Sequence, residues 1–247
     1  MNKIELFGIE FDPLTMEQTV KKVEENIISK KPTHLLGINA DKVNGLYADE
    51  YYTQIVKKAE IINADGASVV LASRFLNSPL PERVAGIDLM QHLLATAVKN
   101  NFSVYFLGAK SEVLEKMISE LNIKYPGLLI AGSRNGYFSK EEWKEVAQDI
   151  EHSKADLVFI GITSPLKEYL VDYFLKEGIQ AVFMGVGGSF DVLSGKIKRA
   201  PQWMQKANLE WLFRVYQEPK RLMKRYFVGN FKFICTVLKI KLTGREY

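Results

Sequence analysis

The chain has 247 residues and a mass of 28.1 kDa, with 47% hydrophobic and 25% charged side chains. That is the balance of one large or two small soluble globular domains, and it excludes a disordered, collagen-like or disulfide-built chain. The formal net charge of +4 is uneven: residues 219–247 carry eight basic side chains and one acid, a net +7, which leaves the rest at −3.

Cys235 is the only cysteine, which excludes an internal disulfide and points to a reducing compartment. Three scattered histidines, His34, His92 and His152, argue against a zinc site. The amino terminus lacks the apolar stretch of a signal peptide, and no run approaches the ~20 apolar residues that cross a bilayer, so the expected location is the cytoplasm.

In chain order, Ile4–Ile9 reads as a strand, and Thr15-Met16-Glu17-Gln18 is a capping box that opens a helix to about Ser29. A strand at His34–Ile38 precedes a helical stretch around Lys42–Lys58, a short strand at Ile61–Asn63 and a helix over Gly66–Leu76. A helix over Asp88–Lys99 leads to the strand Ser103–Leu107, then to a helix over Ser111–Lys124 and a strand at Leu128–Ala131. A second capping box, Ser139-Lys140-Glu141-Glu142, opens a helix to about His152. Strands at Leu157–Ile160 and Ala181–Met184 flank a helix after Pro165. Strands alternating with helices of this length predict an α/β fold, a Rossmann-like, mostly parallel sheet covered on both faces. After Gly195 no strand is predicted. The chain therefore divides into an α/β domain, residues 1–195, and a helical basic appendage, residues 196–247.

In such sheets ligands sit beyond the carboxyl ends of the strands. Several strands there run into small or polar turns that contain Asn39, Gly108, Gly136, Gly161 and the group Gly185, Gly187 and Gly188. Gly-rich strand-to-helix turns admit phosphate, or serve only as tight turns. A dinucleotide fingerprint from Gly185 fails at Phe190, and a P-loop at Lys196 fails at Phe190 and Ile197. Asp65 follows an apolar strand and precedes a helix, where it is either a general base or a cap in an Asp-Gly turn. Asp191 is a ligand-hydroxyl acceptor or a cap, and Arg83 is a phosphate clamp or a surface partner of Glu82 or Asp88. No Asp-x-Asp occurs, so no metal and no cofactor is expected, and arginines and helix ends must neutralise phosphate.

From Trp203 to Leu242 aromatic and aliphatic residues interleave with lysines and arginines. This pattern fits an anionic membrane surface, or a helix hairpin packed on its own domain. Nucleic acid is disfavoured by the acidic body and the absence of recognition motifs. Self-association through the helices stays open.

The run Gly185–Pro201, continuing through Asn208–Arg214 and Gln217–Arg221 and joined by Asn63–Gly66 and Pro81–Leu89, closely resembles the WecG/TagA/CpsF glycosyltransferases, glycosyltransferase family 26. The resemblance implies an inverting, metal-independent transferase, peripheral on the cytoplasmic face of the membrane. It would move N-acetylmannosamine or a related hexose from a UDP-sugar donor to a polyprenyl-diphosphate-linked acceptor in teichoic acid, capsule or exopolysaccharide synthesis. It further implies Asp65 as base, Arg214, Arg221 and Arg225 as active-site arginines of the appendage, and the turn from Gly185 to Asp191 as the UDP region. A non-catalytic sugar-nucleotide-binding or scaffold protein of a glycan-assembly complex is the alternative. Two departures bear on the sugar: Lys167 stands where the family often has glutamine, and Gly37 where many members have threonine.

Overall fold

The computed structural model describes residues 2–244, with the side chains of Arg221 and Arg225 outside the described set. The first predicted strand is a two-stranded antiparallel hairpin, β1 (Ile4–Leu6) and β2 (Ile9–Phe11), paired Leu6 to Ile9. Its turn places Phe7 at φ 59° and Gly8 at φ 72°. Two successive positive φ values match the twist of a tight hairpin. Phe7 is an uncommon residue at such a position, so the sequence reads through the turn. Its ring is buried against Phe233, 5.7 Å between centroids, which compensates the strained backbone with packing.

Helix α1 (Met16–Ile28) starts at the predicted capping box, Thr15 and Gln18 each bonding the other's backbone. Strand β3 (Thr33–Ile38) follows. The predicted stretch Lys42–Lys58 is two helices, α2 (Ala40–Leu46) and α3 (Glu50–Lys58). They separate because the Asp49 side chain caps the second by accepting from the Tyr52 N–H. Next come β4 (Ile61–Ala64), α4 (Ala67–Phe75), α5 (Gly86–Asn100), β5 (Ser103–Gly108), α6 (Ser111–Lys124) and β6 (Leu129–Arg134). The Ser139 capping box opens a single 3-10 turn that leads into α7 (Trp143–Ser153). Strand β7 (Leu157–Gly161), α8 (Leu166–Lys176), β8 (Val182–Gly185) and the short α9 (Ser189–Leu193) complete the α/β body. Helices α10 (Gln202–Lys206), α11 (Glu210–Gln217) and the 25-residue α12 (Pro219–Thr243) follow.

Six strands form one parallel sheet in the order β4-β3-β8-β7-β5-β6. Alternate residues face opposite sides. Leu35, Val104, Phe106, Phe159 and Met184 pack under α1, α5 and α6, while Leu36, Ile38, Val158, Ile160 and Phe183 pack under α2, α3, α7 and α8. The chain leaves β3 toward β4, whereas β8 leads away through α9, which packs on α6. A crevice therefore opens at the carboxyl ends of β3 and β8, the usual ligand position in a doubly wound sheet.

The last helix joins this body. Phe233, Val237 and Ile240 of α12 are buried in the cluster that contains the hairpin, α2 and α3. Asn44 of α2 donates to the Gly229 carbonyl at 2.8 Å, which fixes the helix along the sheet's β3–β4 end.

Three of the expected ligand glycines have packing duties. A Cβ on Gly161 would lie 2.5 Å from the Phe190 ring, one on Gly108 2.6 Å from the Gly161 backbone, and one on Gly136 2.9 Å from Gly108. Gly161→Ala is expected to destabilise by about 1–3 kcal/mol through overpacking. Differential scanning calorimetry should show a drop of roughly 2–4 °C in Tm per kcal/mol.

Candidate active site

Beyond the ends of β3 and β4, the turn carrying Asp65 is stitched to its neighbour: the Asp65 and Gly66 N–H groups both donate to the Ile38 carbonyl, at 2.9 and 3.1 Å. Asp65 does not cap the helix after it. That position is Gly66, and no side chain caps α4. Asp65 Oδ1 instead accepts the Gly86 N–H at the start of α5, 2.8 Å away, and its backbone carbonyl accepts Arg83 Nε at 2.8 Å. Oδ2 makes no hydrogen bond among the described residues. An oriented carboxylate with one free oxygen is the arrangement a proton acceptor needs. On its flank, a Cβ at Gly37 would lie 2.9 Å from the Asp65 Cβ, so glycine there is what lets β3 pack directly against the Asp65 side chain.

Asp65 lines a cavity of about 840 Å³, within the range of small-ligand sites. Of the residues singled out from the sequence, Asn39, Arg83, Lys167, Gly185, Gly187, Gly188 and Arg214 line the same cavity. Asn39 also caps α2, accepting the Lys42 N–H at 3.1 Å. The third wall comes from the last helices, through Trp211 and Arg214 of α11 and Tyr226, Asn230 and Phe233 of α12. Arg221 and Arg225 lie on the first turns of α12, and their side chains fall outside the described residues.

Gly108, Gly136, Gly161 and Asp191 do not line this cavity. Asp191 pairs with Lys196 at 3.0 Å. Gly108 and Gly136 lie beside a smaller depression of about 290 Å³, formed by Lys110, Ser111, Glu112, Asn135 and Tyr137 at the ends of β5 and β6. The Tyr137 ring is 70% exposed there, an aromatic platform that the sequence reading did not single out. Among the described residues, no three His, Cys, Asp or Glu side chains cluster as a metal-binding set.

At the cavity floor lies an ionic group that the sequence concealed, its two lysines lining the cavity. Glu168 Oε1 is 3.1 Å from Lys42 Nζ and 3.3 Å from Lys167 Nζ, all three side chains being buried, and Ser164 donates to Glu168 Oε2 at 2.8 Å. Burial favours the neutral acid, yet the two lysines and Ser164 hold Glu168 down to about 2. Burial, helped by Lys42, pushes the Lys167 amine down to about 8, against the opposing pull of Glu168 and Asp65. The Lys167 stem crosses Gly185, where a Cβ would sit 2.6 Å from its Cε, so β8 must carry glycine at that point.

His34, buried near this group, is pushed down to about 4, chiefly by desolvation. The unfolded chain takes a proton at His34 near pH 6.5, whereas the folded chain resists until about 4. In that window the unfolded state holds more protons, so stability falls as pH drops from 6.5 toward 4, by up to about 3 kcal/mol. Thermal melts between pH 7.5 and 4.5 should show this slope, and His34→Gln should flatten it.

The α11 arginine is held by an acid of its own helix. Glu210, almost fully buried, lies 3.3 Å from Arg83 Nη2, 3.4 Å from Arg199 Nε and 3.8 Å from Arg214 Nη2. Arg83 thus pairs with neither Glu82, which accepts the Met16 N–H, nor Asp88, which takes a two-pronged bond from Arg199 at 2.7 Å on each arm. Sequence reasoning missed Lys42, Glu168, Arg199 and Glu210 as site residues. Glu210 lies inside the Asn208–Arg214 motif, and Glu168 follows the departure at Lys167. Nothing in the local sequence marks Lys42, which reads as a solvated helix residue.

Two relatives match nearly end to end. The N-acetylglucosaminyldiphosphoundecaprenol N-acetyl-beta-D-mannosaminyltransferase of Bacillus subtilis (strain 168) is 33% identical over 218 residues, 88% of this chain and 84% of the relative. The protein of the same name from Staphylococcus aureus (strain MW2) is 32% identical over 242 residues, 97% of this chain and 94% of the relative. The family model described as "Glycosyl transferase WecG/TagA/CpsF family" matches residues 4–247. With that match covering both the sheet that carries Asp65 and the helices that carry Arg214, the chain belongs to the WecG/TagA/CpsF family and is a glycosyltransferase.

Proposed function

We propose that this enzyme transfers a hexose, N-acetylmannosamine or a close relative of it, from a UDP-sugar to a polyprenyl-diphosphate-linked sugar in the building of a bacterial cell-surface polysaccharide, with inversion at the anomeric carbon. The observation that carries the reading is the shared cavity, lined both by Asp65, a carboxylate oriented by the Gly86 N–H, and by Arg214, an arginine delivered by the C-terminal helices. Asp65 takes the proton of the acceptor hydroxyl. The resulting oxygen attacks the anomeric carbon as the bond to the UDP oxygen breaks, and UDP leaves as the diphosphate. Arg214, Arg83 and the amides of the Gly185–Gly188 turn stabilise the charge that develops there, with Arg221 and Arg225 as further cations. The nucleoside extends toward the depression beside Gly108 and Gly136, where the Tyr137 ring offers a stacking face and Asp191 lies nearby on α9. Lys167 and Gly37, which both line the cavity, border the sugar and set which hexose fits.

Residues 196–247 act as the membrane-associating appendage. Support comes from the outward face of α12, where Phe227, Phe231 and Leu242 are exposed among Lys220, Lys224, Lys232 and Lys239. No helix among the described residues is long and apolar enough to cross a membrane, so the association is peripheral. Exposed Leu71 and Phe75 of α4 and Ile234 and Leu238 of α12 also line the cavity. They offer an apolar exit through which the acceptor's lipid chain reaches the bilayer.

The test is to mix UDP-N-acetylmannosamine with a short-chain prenyl-diphosphate N-acetylglucosamine. UDP release and the product's mass gain of one N-acetylhexosamine are expected. No release with this donor, but release with another UDP-hexose, would move the sugar assignment. No release with any UDP-sugar would overturn the proposal.

A further inference from the structure

The contacts around Asp65 close into a ring that runs through the C-terminal helices. Asp65 Oδ1 accepts the Gly86 N–H, the first residue of α5. Two residues on, Asp88 takes both Nη groups of Arg199 at 2.7 Å. Arg199 Nε bonds Glu210 Oε1 at 3.4 Å, Glu210 Oε2 accepts Arg83 Nη2 at 3.3 Å, and Arg83 Nε returns to the Asp65 carbonyl at 2.8 Å. Glu210 is the only member of this ring on α11, and of the arginines around it only Arg199 is shared with a second acid of the ring, Asp88. Three guanidinium groups, Arg83, Arg199 and Arg214, converge on it while it is almost fully buried.

Buried charge held by several partners fixes position more than it adds stability. A carboxylate at the centre of three guanidinium forks has one arrangement that satisfies them all. Arg83 is the arm through which that arrangement reaches the base, because one of its nitrogens faces Glu210 and another the Asp65 backbone. If Glu210 moves with α11, Arg83 loses its anchor and the Asp65 turn loses one of the hydrogen bonds that hold it.

We infer that Glu210 is a positioning residue, which registers the C-terminal helices on the Asp65 turn through Arg83 and so aims the base only when those helices are seated. This rests on the reading of Asp65 as the base. Glu210 itself does not touch the reacting atoms, and its effect travels through the Arg83–Asp65 contact.

The test is a double-mutant cycle on the full chain, with UDP-N-acetylmannosamine and a soluble short-chain acceptor, and with UDP binding measured by calorimetry. Glu210→Gln keeps the shape and removes the charge. It is expected to lower kcat by about 10–100-fold, the scale of a misplaced catalytic group, with at most about a threefold loss of UDP affinity through Arg83 and Arg214, which it also holds. Added to Asp65→Asn, it should cost no more than that about threefold share, because there is no base left to aim. Glu210→Asp keeps the charge on a shorter arm and should fall between, and it serves in the cycle if Glu210→Gln melts below the assay temperature. A full further loss in the Asp65→Asn background would overturn the inference alone, as would a fall in UDP affinity that matches the fall in kcat. Near-normal turnover of Asp65→Asn would overturn the base assignment first, and the inference with it.

Discussion

Asp65→Asn is expected to fold as the parent does, to bind UDP equally well and to turn over about 10²–10⁴-fold more slowly, the usual contribution of a general base. The amide keeps the acceptor oxygen that receives the Gly86 N–H, and the backbone carbonyl still receives Arg83 Nε, so both of these bonds survive. What is lost is the second, unbonded oxygen as a proton acceptor. The cavity's charge changes as well. With Asp65 ionised, Lys42 and Lys167 are balanced by Glu168 and Asp65; with the amide there is one cation in excess. That excess attracts the diphosphate, so a loss of turnover at undiminished UDP affinity separates removal of the base from collapse of the site. Single-turnover measurement of UDP release, alongside calorimetric binding of UDP, checks both halves. Turnover within a few-fold of the parent would remove Asp65 from the chemistry.

In the proposed mechanism the same charge balance ties the base to the leaving group. When Asp65 accepts the hydroxyl proton its charge disappears, leaving Lys167 and Lys42 against Glu168 alone just as negative charge builds on the departing diphosphate. Proton transfer and leaving-group stabilisation are thus linked through the group at the floor, in a buried setting where charges interact strongly. In the same proposal Arg214 acts on the diphosphate from the opposite wall, where its Nη2 lies 3.8 Å from Glu210.

Much of this was legible in the sequence, for identifiable reasons. Buried parallel strands such as Leu157–Gly161 are short apolar runs, and the helices between them carry local start signals, such as the Thr15 and Ser139 boxes. Those signals act within a few residues, so they survive without tertiary information. The hairpin at Phe7-Gly8 was not legible, because a buried aromatic residue occupies a position usually left to Asn or Gly. Asp65 was placed correctly at the sheet edge, but its partner Gly86 is 21 residues away and no spacing announces that bond. The Lys42–Glu168 pair spans 126 residues and two helices. Each member alone looks like an ordinary solvated charge, and only the fold, which packs both α2 and α8 on α3, makes them a buried pair.

The C-terminal helix shows why its sequence supported two readings. Phe233, Val237 and Ile240 are spaced by four and three residues and face the body; Phe227, Phe231, Ile234 and Leu238 repeat the same spacing on another side. Two apolar stripes on one helix satisfy both the packed hairpin and the membrane surface. The packed stripe also makes deletion after Ala200 an ambiguous test, since it would strip the cover from Phe7 and the core around it.

Substituting the outward stripe alone avoids that ambiguity. Phe227→Ser, Phe231→Ser and Leu242→Ser together alter side chains that are 79%, 66% and 86% exposed and do not line the cavity. Exposed substitutions of this kind usually change stability by less than about 0.5 kcal/mol each, so Tm should hold within a few degrees. Membrane affinity should not hold. Each large apolar side chain buried in the interface contributes about 1.5–3 kcal/mol, and the neighbouring lysines add about 1 kcal/mol each at an anionic surface. Removing three such anchors is expected to lower partitioning onto phosphatidylglycerol vesicles by 100-fold or more, measured by sedimentation. Turnover on a long-chain acceptor embedded in those vesicles should fall in parallel, while turnover on a soluble short-chain acceptor stays within about twofold, because Asp65, Arg83 and Arg214 are untouched. Unchanged sedimentation would show that the outward stripe is not the docking face. Loss on both acceptors would place these residues in the catalytic arrangement rather than at the lipid surface.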